Sequence, residues 1–357
     1  MLLRRRLERV LIEMEQIELI PDKVVPRFPR VNYIGNKEKI SPWIVDNFPI
    51  KHGIVLDVFS GGGSVSYELK RRGFTVYSND ILYSSYVVNK ALIENNNVNL
   101  ERSTISSALS KKLDPECRNK LEWLSNNLFY PDEVDELSKL VKYSGDLVGF
   151  NKYIFLSLIR RSMIRKLPYS RMNIDWNNII KLRDEEYSYR KYGRKRAYHN
   201  FSFSKHMYKE LENFNNAIFD NKKANKAFNM DALELLNSIP SVDLIYLDPP
   251  YPNTMNNYDG FYGSFDRIFG KKQLHTDYTR VESFLEELKK LVQLATLKTK
   301  FLVLSLNSKT IPASKEIADM LGKFGEVDII SKKHNYQVSG KKSKHENHEI
   351  VIILKIQ

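Results

Sequence analysis

The sequence predicts an α/β fold: an open, mostly parallel sheet of seven strands that ends in an antiparallel strand pair, with a mainly helical segment inserted into it. Three observations support this. Short apolar, β-rich runs recur along the chain with amphipathic helical stretches between several of them, the rhythm of a parallel sheet covered on both faces. That rhythm fails between about residues 100 and 225. The last two apolar runs are joined by a polar, lysine-rich stretch without helical period, which suits a terminal antiparallel pair.

Residues 1–30 read as a helical extension. Leu3, Leu7, Val10, Met14 and Ile17 fall at helical spacing, and the segment is too charged to be a secretory signal. It suits an amphipathic helix packed on the body, or one that forms an interface. "GIVLDVF" (53–59) is the first strand and a helical stretch follows at 64–72. "FTVYS" (74–78) is the second strand, followed by a helix over 83–94. The sheet resumes with "KAFNM" (226–230) and "VDLIYL" (242–247). A helix over 281–297 then leads to "KFLVLSL" (300–306), "EVDII" (326–330) and "EIVIILKI" (349–356).

Composition narrows the class. A chain of 357 residues with 42% hydrophobic and 28% charged residues has ample material for a core. The single cysteine, Cys117, excludes an internal disulfide framework and suits a reducing cytoplasm. No apolar run reaches the ~20 residues that a membrane span needs. The histidines and the lone cysteine show no metal-ligand spacing, so no metal is expected.

The net charge of +13 points to a polyanionic partner, because cation–phosphate contacts release counterions. The surplus is concentrated. Between Arg160 and Tyr198 there are twelve Lys/Arg against four Asp/Glu. Arg160, Arg161, Arg165, Lys166, Arg171, Arg190, Lys191, Arg194, Lys195 and Arg196 are therefore the candidate nucleic-acid contacts. In 187–208 basic residues alternate with aromatic rings that could stack on or wedge between bases. A solvated loop is the plainer reading of that stretch.

Three strand ends carry chemistry. "VLDVFSGGGSVS" (55–66) runs from a strand through Asp57 into three glycines that open a helix, where a ligand can approach the backbone closely. It has neither dinucleotide-binding spacing nor the lysine of a phosphate loop. Asp80 in "SNDI" ends the second strand, where an acid can take both hydroxyls of a ribose or merely cap the next helix. "DPPY" (248–251) ends the fourth. It offers an acceptor, a rigid backbone carbonyl and a flat ring, which suits a planar heterocycle with an amino group. Asp248 and the Pro249 carbonyl can accept the two amino hydrogens while Pro250 stiffens the turn and Tyr251 stacks on the ring. The stretch 252–266, rich in Asn, Gly and aromatics, reads as a mobile loop beside the base. Residues 332–349 read as a solvated terminal hairpin.

Taken together, "NYIGNK" (32–37), "LDVFSGGGS" (56–64), "NDI" (79–81), "NMDAL" (229–233) and "DPPY" resemble the Dam-like DNA adenine methyltransferases in kind and in order. The resemblance implies a Rossmann-like methyltransferase sheet and S-adenosylmethionine as cofactor. It also implies direct methyl transfer to the 6-amino nitrogen of an adenine flipped out of double-stranded DNA. Lys37, in an aromatic-x-x-x-Lys element with Tyr33, would pair with the methionine carboxylate. Asp57 with Phe59, Ser60, Gly61 and Gly63 would hold the methionine end. Asp80 and Ile81 would serve the ribose side, and Asp231 and Ala232 the cofactor adenine. Asp248 to Tyr251 would bind and activate the target base, with Asp248 also bordering the cofactor.

The family usually has one residue between its motif glycines, so which of residues 61–63 touches the cofactor stays open. The implied organisation is a catalytic domain of 31–99 and 226–357 with a target-recognition domain inserted at 100–225. A modification enzyme of a restriction system follows, with a separate endonuclease as possible partner. Cytosine 4-amino methylation, ribosomal-RNA adenine methylation and a catalytically silent DNA-binding module remain as alternatives.

Overall fold

The computed structural model describes residues 26–193, 197–334 and 347–357. The expected helix within 1–30, except for its last five residues, lies outside them, as do Arg194, Lys195, Arg196 and most of the 332–349 stretch. The seven strands form one sheet in the order β3-β2-β1-β4-β5-β7-β6. They are β1 (Ile54–Asp57), β2 (Thr75–Asn79), β3 (Lys226–Phe228), β4 (Leu244–Leu247), β5 (Phe301–Asn307), β6 (Gly325–Lys333) and β7 (His348–Ile356). Pairings from β3 to β5 are parallel, and β7 runs antiparallel to both β5 and β6.

The antiparallel strand is inserted, not appended, and the sequence shows why. "EIVIILKI" is apolar on both faces and suits an interior strand. "GEVDIISKK" alternates apolar with charged residues, and its Glu, Asp and Lys side chains protect an exposed edge.

Alternate residues of each strand enter two separate cores. Val55, Tyr246, Val303 and Val351 face one side; Leu56, Ile245, Leu302 and Ile352 face the other. The second face is covered by helices Ala232–Ser238, Val281–Thr296 and Ser314–Leu321. In Val281–Thr296 the buried residues are Phe284, Leu288, Leu291, Val292 and Ala295, a single helical stripe. The first face is covered by Ser64–Arg71, Tyr83–Asn89 and its continuation to Glu94, and the 18-residue helix Gly149–Lys166.

The helices between β2 and β3 share that first core: Ile105, Leu137, Ile159 and Phe214 belong to the same buried cluster as the sheet residues Val55 and Val76. The stretch read as a loop at 252–266 is helical from Tyr258 to Ile268. Asn257 caps that helix by accepting from the Gly260 N–H at 3.0 Å, and Phe261, Tyr262 and Phe265 are buried. Burial of three rings at helical spacing outweighs the two glycines that made it read as a loop. No helix among the described residues is long and apolar enough to cross a membrane.

Candidate active site

The chain winds outward from β1 through β2 to β3, then restarts at β4 on the other side of β1. Such a reversal opens a crevice at the carboxyl ends of the two central strands. Asp57 closes β1 and Asp248 follows β4 directly, so both acids stand at that crevice. A cavity of about 710 Å³ occupies it, within the range of small-molecule sites. Its wall includes Tyr33, Lys37, Asp57, Phe59, Ser60, Gly61, Asp80, Ile81, Asp231, Ala232 and the whole of Asp248–Tyr251. Residues from five separate segments thus meet in one place.

The glycine loop shows a division of labour. Gly61 and Gly62 form the cavity wall, whereas Gly63 sits behind it as the left-handed N-cap of helix Ser64–Arg71. Gly61 has φ +53°, and a Cβ there would stand 2.7 Å from the Tyr33 ring. Its N–H donates to Asp80 Oδ2 at 2.8 Å, and Ser60 is tied to the Asn79 carbonyl by both its N–H and its hydroxyl. The loop is fixed before any ligand arrives.

Asp57 is buried. Its Oδ2 accepts from the Ser66 hydroxyl at 2.7 Å, while Oδ1 finds no well-formed donor among the described residues. Burial pushes its carboxyl up to about 8. The Ser66 hydroxyl and the Phe59 N–H pull it down, and the nearby Asp248 adds to the rise. Asp57 borders the cavity, and a buried carboxylate short of donors suits a cationic partner such as an ammonium group.

Asp80 does not cap the following helix, whose N-cap is Leu82 without a side-chain bond. Its Oδ1 accepts from the Leu82 N–H at 2.8 Å, a local turn, while the residue lines the cavity, and burial raises its carboxyl to about 6. Asp231 is more committed. Oδ1 caps helix Ala232–Ser238, and Oδ2 accepts from the Thr276 N–H at 2.8 Å. That bond anchors the extended segment 271–280, whose Tyr278 meets Phe59 edge-on at 5.3 Å. The sequence reading missed this segment, which lines the cavity without a periodic pattern to reveal it.

At the β4 end, Lys37 Nζ lies 3.1 Å from Asp248 Oδ1 and 3.2 Å from Glu349 Oε1. Burial raises the Asp248 carboxyl to about 6, opposed by Lys37 and reinforced by Glu349. Glu349, where the expected hairpin at 332–349 meets the expected strand at 349–356, is in the strand and fully buried, and it also accepts from the Ser305 hydroxyl. Its signal in the sequence was an acid opening an otherwise apolar interior strand. The backbone carbonyl of Tyr251 accepts from Thr254 Oγ1 at 2.7 Å and from Asn256 Nδ2 at 3.0 Å, so the loop after the motif is folded back on it. Tyr33 is sandwiched between Tyr258 and Tyr262, with ring centroids 5.4 and 5.0 Å away.

The basic candidates divide. Arg160, Arg161 and Lys166 cannot be surface phosphate contacts, because all three are buried in helix Gly149–Lys166. Arg160 donates to the Val31 carbonyl at 2.8 Å and lies over the Tyr262 ring; Arg161 pairs with Glu210 at 3.1 Å and Lys166 with Glu133 at 2.7 Å. Local charge count missed this because the helix is inside the core and its acids come from other helices. Arg165 and Arg171 are half-buried, with Arg165 stacked 4.4 Å over Tyr198. Arg190 and Lys191 are exposed on helix Glu185–Tyr192, beside the exposed Tyr189 and Tyr192. Some of the basic–aromatic alternation pairs within the chain at its surface: Lys205 lies 3.8 Å over Phe201 and Lys191 5.5 Å over Tyr187.

Comparison with known proteins agrees with this geometry. The family model described as D12 class N6 adenine-specific DNA methyltransferase matches residues 33–320. The chain is 39% identical over 338 residues to the type II methyltransferase M2.HphI of Haemophilus parahaemolyticus, a match covering 92% of this chain and 98% of that protein. It is 30% identical to the modification methylase StsI of Streptococcus sanguinis, over 91% of this chain and 51% of that one. It is 27% identical to the type II methyltransferase M.FokI of Planomicrobium okeanokoites, over 62% of this chain and 33% of that one. The matches thus span about half and a third of those two longer proteins.

Proposed function

This chain belongs to the D12 class of N6 adenine-specific DNA methyltransferases, and from that premise we propose that its cavity holds S-adenosylmethionine at the glycine-loop end and the flipped adenine at the Asp248 end. One observation carries the reading: a single cavity is bordered by acids at the ends of two adjacent strands, and one of them, Asp57, has no ion-pair partner among the described residues. The donor set fits the cofactor. Asp57 matches the methionine ammonium; Lys37, already paired with Asp248 and Glu349, would add the methionine carboxylate as a third partner; and Gly61 and Gly62 allow close approach of the chain. Phe59 and Ser60 complete the methionine end, Asp80 and Ile81 serve the ribose, and Asp231 and Ala232 border the adenine.

When bound, S-adenosylmethionine supplies an electrophilic methyl group. The protein's own part is orientation and charge. Rotating the target adenine out of the duplex costs a few kcal/mol, offset by stacking on Tyr251. Asp248 and the Pro249 carbonyl accept the amino hydrogens, which turns the nitrogen lone pair out of conjugation and aims it into the cavity. Positive charge builds on that nitrogen during attack, so Asp248 works ionised and a strong base is not required. The helices between β2 and β3 form the target-recognition part in this reading, with Arg190 and Lys191 among its DNA contacts. The chain serves as the modification methylase of a restriction system whose endonuclease acts separately.

The test is transfer of labelled methyl from S-adenosylmethionine to duplex DNA by the wild type and Asp248→Ala, followed by nucleoside analysis. Labelled N6-methyladenine that disappears in the variant is expected. Label in 4-methylcytosine, or label that survives the substitution, would overturn the assignment of the site.

A further inference from the structure

Glu349 is a buried acid that the functions assigned above do not require. It is the second residue of β7, an interior strand, opposite Asn307 of β5 and Lys332 of β6, and its side chain is fully buried. Removing a carboxylate from water is costly, and only close charges and hydrogen bonds offset the cost. Glu349 has both. Its Oε1 accepts from the Ser305 hydroxyl and stands 3.2 Å from Lys37 Nζ. That ammonium is also 3.1 Å from Asp248 Oδ1. Two carboxylates from different strands therefore share one cation. Tyr246 from β4 and His334 from the end of β6 also face Glu349; burial suppresses the charged form of each.

A lone Lys37–Asp248 pair would leave Asp248 largely neutralised, a poor acceptor for an amino group that becomes positive. A second carboxylate on the same ammonium changes the balance. We infer that Glu349 is a positioning residue for methyl transfer: anchored by Ser305, it divides the charge of Lys37 and leaves Asp248 with the negative charge that faces the adenine amino group. This rests on the reading that Asp248 binds the target base. A structural pairing of Glu349 with Lys37 would stabilise the fold without touching catalysis, and the two roles separate by experiment.

Glu349→Gln keeps the shape and the bond to Ser305 but removes the charge. Of the two carboxylates that pair with Lys37, Asp248 alone then remains charged. The expected result is a kcat lowered roughly tenfold at neutral pH, with KM for S-adenosylmethionine not raised. The acid limb of the kcat profile should move to lower pH, because the anion that raised Asp248 is gone. Ser305→Ala, which leaves every charge in place but frees Glu349, should lower kcat less and in the same direction; it also serves if the glutamine variant does not fold. Wild-type kcat and an unmoved acid limb in Glu349→Gln would overturn the inference. So would activity lost only in proportion to unfolded protein. Asp248→Ala run in parallel separates the two readings: a dead Asp248 variant beside a wild-type-like Glu349→Gln refutes only the role of Glu349, whereas an active Asp248 variant refutes both.

Discussion

Asp57 and Asp248 are the same residue at the ends of neighbouring strands on one cavity, yet the protein treats them in opposite ways. Asp57 receives the Ser66 hydroxyl and the Phe59 N–H but, among the described residues, no cation, so burial dominates and its carboxyl rises to about 8. Asp248 receives the Lys37 ammonium, held in turn by Glu349, and rises only to about 6. The difference teaches that a buried acid can be completed by its ligand or by its own fold. In the reading above Asp57 waits for a cation carried by the cofactor. Asp248 must already be charged when the base arrives, so the fold supplies its counter-ion.

The contrast breaks most visibly in the kinetics. Asp248→Asn should lower kcat by roughly a thousandfold while cofactor affinity changes little, since it removes an interaction that strengthens in the transition state. Asp57→Asn should do the reverse: cofactor affinity falls roughly a hundredfold and saturated kcat stays within a few-fold. Calorimetric titration with S-adenosylmethionine and single-turnover kinetics measure the two. Equal losses in both quantities for both variants would erase the distinction.

Protons sharpen it further. With Asp57 raised to about 8, most of it is protonated at pH 7, so an ammonium-bearing cofactor should release a proton on binding and bind more tightly as pH rises from 6 toward 8. Titration in buffers of different ionisation enthalpy counts that proton. The sign for stability is opposite. A carboxyl raised by folding contributes stability below its unfolded pKa of about 4, and that contribution is lost as pH rises through about 8. Catalysis should fall as pH drops through about 6, where Asp248 protonates.

The basic residues form a second contrast, between charges inside and outside the helical region. Lys166→Ala removes one of two cations from buried Glu133, which Arg183 also contacts through Nη1 at 2.8 Å. It should cost about 2 kcal/mol of stability, less than the 3–5 kcal/mol typical of stripping a buried charge bare. Denaturant unfolding reads that loss. Arg190→Ala, on the surface, should leave stability unchanged and weaken DNA binding a few-fold, with a shallower dependence on salt. A stability loss at Arg190 would place it with the buried set.

Much of this molecule was legible in the chain itself. Apolar runs of the right length marked the seven strands, and the exposed pattern of "GEVDIISKK" against the apolar "EIVIILKI" foreshadowed which of the last two would be the edge. Asp57, Asp80 and Asp248 were legible because strand ends of an open sheet place side chains at the crevice whatever the rest of the fold does. These are local determinants: period, propensity and the direction of a strand. What only the tertiary structure decided was which charges meet and which meet water. Lys37, Asp248 and Glu349 come from three distant segments, and Arg160, Arg161 and Lys166 are inside because their helix packs against the sheet's own core. Charge pairing depends on distances through space and on the removal of water, and neither is encoded in the spacing of residues along one segment.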